Sequence, residues 1–348
     1  MPTMPTMTTM TTTSPHATVA ILSIGQMGAG IASLLLAHNF RVTTNVSTRS
    51  AATQSRAASA GITLLSSDTE LVATADYILS IVPPKDSRAT AQRIVDALAQ
   101  VDRGDKAALW YLDLNAGSPS SARGLSSLFA RDEEEGRVVF VDGGIIGGPP
   151  TRSPSSSSSA AAENETWAYR PGIPLSGPHS LSSAPIAGKH LASVLNTRHL
   201  NSEIGTASGL KACFAALTKG FTALALQSFT TAGEMGVLAE LGEYMDVYNP
   251  GARERAERGV VGCKGKAYRW VEEMRLIGET FAMQGGFVGK ANVFREIAGV
   301  YQGLAEMVEE EGGEGLESAE GVVGRLGTSL REGRGDEKER VVKEDVAL

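Results

Sequence analysis

Two short stretches hold residues whose types and spacing could do chemistry. In "IGTASGLKACFAALTKG", Lys211 is embedded among apolar residues near what the composition makes a helix start. Desolvation by Cys213 and Phe214, and the positive helix N-terminus, both disfavour an ammonium and move Lys211 toward a pKa at which it can exchange protons. The same placement fits a lysine whose stem covers a packed helix, so the residue alone leaves both readings open. In "SIGQMGAG", Ser23 stands at the first position of G-x-G-x-x-G, Gly25 at the second and Gly28 at the third, with Gln26 and Met27 between. Such a loop lets the backbone approach a pyrophosphate, which N–H groups at the following helix start would hold. A small Ser23 can supply the tight turn at modest strain.

Further along, "NVSTRS" closes a second strand about twenty residues past the loop, where an NAD site places an acid on the ribose hydroxyls. The stretch has Asn45 and Arg49 and no acid. A guanidinium without a carboxylate suits a 2′-phosphate, so NADP is expected rather than NAD, the other reading of Arg49 being a solvated loop residue. "DGGIIGGPP" could offer successive backbone N–H groups to an anion, or be a tight turn after a strand. Asp113 and Asp142 end strands, with nothing to place them together. Ser118 and Ser176 lack an evident His partner, which argues against a hydrolase. His38, His179, His190 and His199 have no metal-ligand spacing, so no metal is expected.

Those residues need elements to position them. "ATVAILSIG", "RVTTNV", "ITLL", "ADYILSIVPP", "ALWYLDLNA" and "RVVFVDGGIIGG" read as strands alternating with amphipathic helices, the pattern of crossover units and a parallel sheet. A serine run within 149–166 reads as a flexible insertion, after which "WAYRPGIPLSG" and "TRHLNSEIG" resume the sheet. From Thr206 strands disappear, and "ASGLKACFAALTKGFTALALQSFTTAGEMGVLAEL" reads as one long apolar helix. The expected fold is α/β: a Rossmann-type dinucleotide domain over 17–204, then an all-α domain over 205–310, joined by a long inter-domain helix. Residues 1–16 are expected to be a disordered tail, and 311–348 a polar, partly disordered one.

The totals exclude several classes. With 348 residues and a net charge of −7, the chain suits two domains and gives nucleic acid no basic face. Two cysteines make no disulfide framework and point to a reducing, cytoplasmic setting, both read as buried thiols. "MPTMPTMTTMTTTSPHA" has no basic n-region or apolar core, so it does not read as a secretory signal. The apolar run 210–226 contains Lys211 and Lys219 and is short for a membrane span. A homodimer is expected through the helical half, whose long helix is apolar on most of its surface.

Taken in order, "IGQMGAGIA", "ADYILSIVPP", "YLDLNAGSP", "FVDGGIIGGPP" and "IGTASGLKACFAALTKG" resemble the 6-phosphogluconate dehydrogenase / β-hydroxyacid dehydrogenase superfamily over roughly residues 18–305. The nearest branch is a poorly characterised one with a short helical C-terminal domain. The resemblance implies a Rossmann domain, a long inter-domain helix, an active site between domains and a homodimer. It places Gly25, Met27 and Gly28 in the cofactor loop, Val82 and Pro83 along the cofactor, and Asn115 near the nicotinamide ribose. Gly143 and Gly144 fall in the substrate loop, and Lys211 on the catalytic lysine of G-x-G-x-x-x-K, whose first glycine is Gly205. The implied activity is hydride transfer between NADP and a hydroxyl or carbonyl carbon of a small, acidic or neutral substrate, with Lys211 as general acid or base.

The chain also departs from that pattern. Ala207 replaces the second glycine, Phe214 and Ala215 replace the polar pair that binds substrate hydroxyls, and Thr218 stands where 6-phosphogluconate dehydrogenase has a glutamate. These departures argue against sugar-acid decarboxylation and make Phe214 a candidate substrate contact for a bulkier group. Imine reduction on the same architecture, and a non-catalytic NADP-binding protein, are the alternatives.

Overall fold

The computed structural model describes residues 14–153, 167–290 and 293–346, with side chains up to 332. Most of the expected N-terminal tail (1–13) and of the serine-rich insertion (154–166) lies outside the described residues. The chain divides into two compact units. Met1–Asn115 with Pro119–Ser208 forms the first, and Ala116–Ser118 with Gly209–Leu348 the second.

The first unit begins β1 (Thr18–Leu22), α1 (Gln26–Ala37), β2 (Arg41–Thr44), α2 (Ala51–Ser59), β3 (Thr63–Leu64), α3 (Asp68–Thr74), β4 (Tyr77–Ser80) and α4 (Pro84–Leu98). It continues β5 (Leu109–Asp113), α5 (Pro119–Glu134), β6 (Val138–Gly143), β7 (Thr151–Arg152), β8 (Trp167–Tyr169), β9 (Ile173–Ser176), α6 (Gly188–Val194) and β10 (Thr197–His199). The main sheet has the order β10-β9-β6-β5-β4-β1-β2-β3. From β3 to β6 it is parallel, with β1 beside β4, so the chain reverses its direction of travel across the sheet at that pair. Open α/β sheets bind ligands outside the strand C-termini at such a reversal. One strand departs from the expected parallel sheet. β9 runs antiparallel to β6, pairing Asp142 with Ser176, and no described helix crosses over between them, where β7 and β8 pair antiparallel.

Local chemistry sets several boundaries. Pro83 and Pro84 close β4, and Pro84 opens α4, where a missing N–H costs nothing. Ser67 and Glu70 start α3 with a variant of the capping box: Ser67 Oγ accepts the Glu70 N–H at 3.1 Å, and Glu70 accepts the Ser66 N–H at 2.9 Å. Alternate faces of the sheet carry the two cores of this unit, one around Val19, Ile21, Leu79 and Leu112, the other around Ala20, Ile78, Tyr111 and Phe140.

The second unit is helical. α7 (Thr206–Glu234), whose first three residues belong to the first unit, is followed by α8 (Leu238–Tyr248), α9 (Ala252–Cys263), α10 (Ala267–Met283), α11 (Val293–Glu311) and α12 (Ala319–Val346). The helix expected to run on into "VLAEL" stops at Glu234. Gly236 takes φ 72°, the Val237 N–H reaches back to Ala232 O at 2.9 Å and the Gly236 N–H to Gly233 O at 3.1 Å, a Schellman termination. The segment after 311 is also more than a polar tail, since Leu316, Ala319, Val322, Val323 and Leu326 are buried in this unit's core. By length and composition alone, α7 is the one described helix that could cross a bilayer, longer than the 210–226 run suggested. Core helices of soluble proteins pass the same test, and α7 buries Ala212, Ala215, Ala223, Leu226 and Phe229 in that core.

Candidate functional site

In the first unit the loop after β1 has the turn its sequence called for. Ser23 adopts φ 79°, left-handed backbone that L-residues other than Asn and Asp rarely enter. A Cβ on Gly28 would collide with the Ser23 carbonyl oxygen, so glycine there is dictated by the close approach of helix and turn. Gly25 is the N-cap of α1 with no side-chain cap, and a Cβ on it would meet nothing within 4 Å. The uncapped helix start beside open space fits an anionic group such as a pyrophosphate. Gln26 is exposed beside it, and Met27 packs its side chain against the core.

A polar row crosses the sheet at the strand C-termini. Ser80 pairs with Asp113, Asp113 with Asp142, and Asp142 with Ser176, and all four are buried. The two aspartates that the sequence left unconnected are therefore register neighbours. Burial, then the nearby Asp142 charge, raises the Asp113 carboxyl to about 7, against the pull of the Asn115 hydrogen bond. Burial also raises Asp142, even though it accepts hydrogen bonds from Ser176 Oγ (2.8 Å), Ser208 Oγ (2.6 Å) and the N–H groups of Gly205, Ala207 and Ser208 (3.0, 3.1 and 3.2 Å). Asp142 thus caps the start of α7, a favourable place for a carboxylate.

Asn115 joins this row. Its Oδ1 accepts the Val82 N–H at 2.7 Å, and its Nδ2 donates to Ser80 Oγ at 3.0 Å and to Asp113. It is buried and fastens the Val82–Pro83 segment to the end of β5. Gly143 and Gly144 are also buried. A Cβ on Gly143 would press on Leu114 and Leu175 at 2.7 Å, and the Gly144 N–H donates to Pro174 O at 3.2 Å. The N–H groups of Ile146 and Gly148 are bonded within the unit as well, to Gly172 O and to the Tyr169 hydroxyl. Gly143 and Gly144 are here a packed continuation of the sheet, while Gly147 and Gly148 are exposed.

At the end of β2, Arg49 is exposed in the turn leading to α2. Asn45 is not surrounded only by hydroxyls, because α3 brings an acid that the local sequence hid. Asn45 Nδ2 donates to Asp68 Oδ1 at 2.7 Å, and Arg93 from α4 holds both Asp68 oxygens at 2.9 Å. A bidentate guanidinium neutralises that carboxylate.

In the second unit Lys211 lines a small cavity with Ala116, Gly117, Ala212, Ala215, Glu273, Leu276 and Ile277. Burial, and secondarily Arg269, lowers its pKa to about 8. The expected desolvation occurs, but by different residues: Cys213 is exposed rather than buried, and Phe214 is 42% exposed. Both lie on the outward face of α7, with Leu210 and Leu217 also exposed. Cys263 is the buried thiol, and burial pushes it up to about 12. Lys219 contacts the Glu273 carboxylate and lies 5.0 Å from the Trp270 ring. Glu273 escaped the sequence reading, although an acid among Trp270, Val271, Met274 and Ile277 on an apolar helix face was the available signal. Among the described residues no three His, Cys, Asp or Glu side chains could hold a metal.

Residues 18–101 match the family described as NADP oxidoreductase, coenzyme F420-dependent, and residues 232–304 match a domain of unknown function, DUF1932. No curated protein matches the chain. Solved structures share its fold. A conserved hypothetical protein from Sinorhizobium meliloti 1021 is 21% identical with a TM-score of 0.59, over 91% of this chain and 97% of that one. The 3-hydroxyisobutyrate dehydrogenase of Mycobacterium tuberculosis, solved with L-serine, is 18% identical with a TM-score of 0.57, over 89% and 99%. A variant imine reductase from Myxococcus stipitatus, in complex with NAD+, is 17% identical with a TM-score of 0.50, also over 89% and 99%.

Proposed function

We propose that this chain, in which an NADP-oxidoreductase domain precedes a DUF1932 domain on the hydroxyacid dehydrogenase fold, is an NADP-dependent oxidoreductase. It moves a hydride between nicotinamide and the hydroxyl or carbonyl carbon of a small organic substrate, acids included. The observation that carries this reading is Lys211, an amine held near pKa 8 by burial in a cavity lined by alanines, Gly117, Leu276, Ile277 and one acid, Glu273. A group of that pKa gives and takes protons at working pH. The bound dinucleotide would supply the hydride. Of the chain's own groups, the α1 N-terminus and Gly25 would hold the pyrophosphate, and Arg49 the 2′-phosphate. Val82 and Pro83, fixed by Asn115, would border the nicotinamide side, and Lys211 would protonate the nascent alkoxide or deprotonate the alcohol.

The apolar Ala215, which lines the Lys211 cavity and offers a substrate no hydroxyl-binding group, supports C=N reduction as the second reading. Two free thiols support a reducing, cytoplasmic setting. The experiment is a substrate panel of hydroxy acids, ketones and cyclic imines with NADPH and NADH. Lys211→Met should bind cofactor normally and lose about 10²–10⁴-fold in turnover. Arg49→Ala should weaken NADPH by about 1.5–3 kcal/mol and leave NADH unchanged. Wild-type turnover in Lys211→Met refutes the lysine role, and equal NADPH and NADH affinities refute the choice of cofactor.

A further inference from the structure

Two lysines and one acid share the interior of the second unit. Lys211 and Lys219 both come from α7, eight residues apart, and Glu273 comes from α10. Glu273 touches the Lys219 ammonium and also lines the small cavity that Lys211 lines. Trp270, one turn before Glu273, covers Lys219 at 5.0 Å, and the Tyr301 hydroxyl of α11 donates to the Lys219 carbonyl at 2.6 Å. Glu273 is 9% exposed on a helix face otherwise formed by Val271, Met274, Ile277 and Thr280. A lone acid in such a place is costly unless it is paired.

We propose that Glu273 is a positioning residue which, through its contact with Lys219 and its place on the Lys211 cavity, keeps Lys211 in its protonated, proton-donating form. The proposal rests on reading Lys211 as the acid–base group. Among the described residues, the charges around the cluster include Lys211 and Lys219 from α7, Lys266 just before α10, and Arg269 and Glu273 on α10, with Glu279, also on α10, accepting from Ser118 Oγ at 3.2 Å. Burial disfavours the Lys219 ammonium, and so do Lys211, Arg269 and Lys266. Glu273, in contact with Lys219, is a carboxylate placed to oppose them. Without it the two lysines would lose that carboxylate, and Lys211 would surrender its proton at lower pH. Without Lys219 the freed carboxylate would act on Lys211 alone and hold the proton more firmly. Opposite charges on the two partners therefore predict opposite effects on one residue, which a merely structural ion pair would not produce.

The test is competitive labelling of the full-length protein with acetic anhydride across pH, read by mass spectrometry on the peptide carrying Lys211. Wild-type Lys211 should show a midpoint near 8. Glu273→Gln should lower it by about one pH unit or more, and Lys219→Met should raise it. A packing role predicts something else: both variants would loosen the cavity and move Lys211 upward, toward an exposed lysine. The proposal is overturned if both midpoints move the same way or if Glu273→Gln leaves the midpoint in place. Should Glu273→Gln fail to fold, the double variant K219M/E273Q, which leaves neither partner charged, must show a lower midpoint than Lys219→Met alone, and equality overturns the proposal. The pH profile of kcat/KM should follow the labelling midpoint. Labelling that shifts while the rate profile stays fixed would sink the catalytic reading of Lys211 and leave the Glu273 assignment standing.

Discussion

Asp113→Asn should make the first unit more stable at pH 8 while leaving it nearly unchanged at pH 4. Asp113 is fully buried, and its carboxyl titrates at about 7 in the folded chain against an ordinary 3.8. Below pH 4 both folded and unfolded chains carry the proton, and the group has no effect. As pH rises through 4 the unfolded chain releases it while the folded chain keeps it, so stability falls until the folded carboxyl also ionises near 7. That span of about three pH units, at about 1.4 kcal/mol each, sets the cost of the buried anion at about 4 kcal/mol. Asparagine mimics the protonated acid in shape and still accepts the Asn115 bond through its Oδ1. With allowance for relaxation around Asp142, the variant should gain about 2–4 kcal/mol at pH 8. Urea unfolding at pH 4, 6 and 8 measures this, followed by fluorescence in a Trp270→Phe background so that Trp110 and Trp167 report the first unit. A variant less stable than wild type at pH 8, or a difference that does not change with pH, would refute the reasoning.

Ser23→Gly should stabilise the chain by about 0.5–1 kcal/mol, because relief of a left-handed serine exceeds the extra freedom of an unfolded glycine. A fall in urea midpoint would show that the serine is not strained. Leu210, Phe214, Leu217 and Leu224, all exposed along α7, support a homodimer at micromolar concentration; sedimentation should find one, with Leu217→Lys shifting it toward monomer, and a monomeric wild type would end the proposal.

The parts of this protein legible in the sequence were those fixed by neighbouring residues. The turn at Ser23, the collision that demands Gly28, the Pro83–Pro84 strand end and the uncapped start of α1 all depend on contacts within a few positions. Other features depend on partners far along the chain. Asp68 reaches Asn45 from 23 positions away, and Glu273 reaches Lys219 from 54. Asp113 and Asp142 meet only because β5 and β6 pair in that register, which no periodicity encodes. The antiparallel β9 was hidden because a four-residue apolar run has no direction. The core contribution of Leu316 to Leu326 was hidden by glycines and glutamates around it, while "SDTE" at 67–70 and the glycine at 236 were local signals that could have marked the start of α3 and the end of α7.

The side chain of Asn115 has a consequence for how freely this chain can vary. Position 115 needs one acceptor for the Val82 N–H and two donors for Ser80 and Asp113, all at the height of one short side chain. Aspartate lacks the donors and would set a further carboxylate against Asp113. Leucine keeps the shape and abandons three polar groups, glutamine is a methylene too long, and serine is too short to reach all three. A library randomised there and selected for folding alone, with no cofactor or substrate present, should return asparagine. Invariance at this position would then be a property of how two strand ends are fastened, and would not by itself report a ligand.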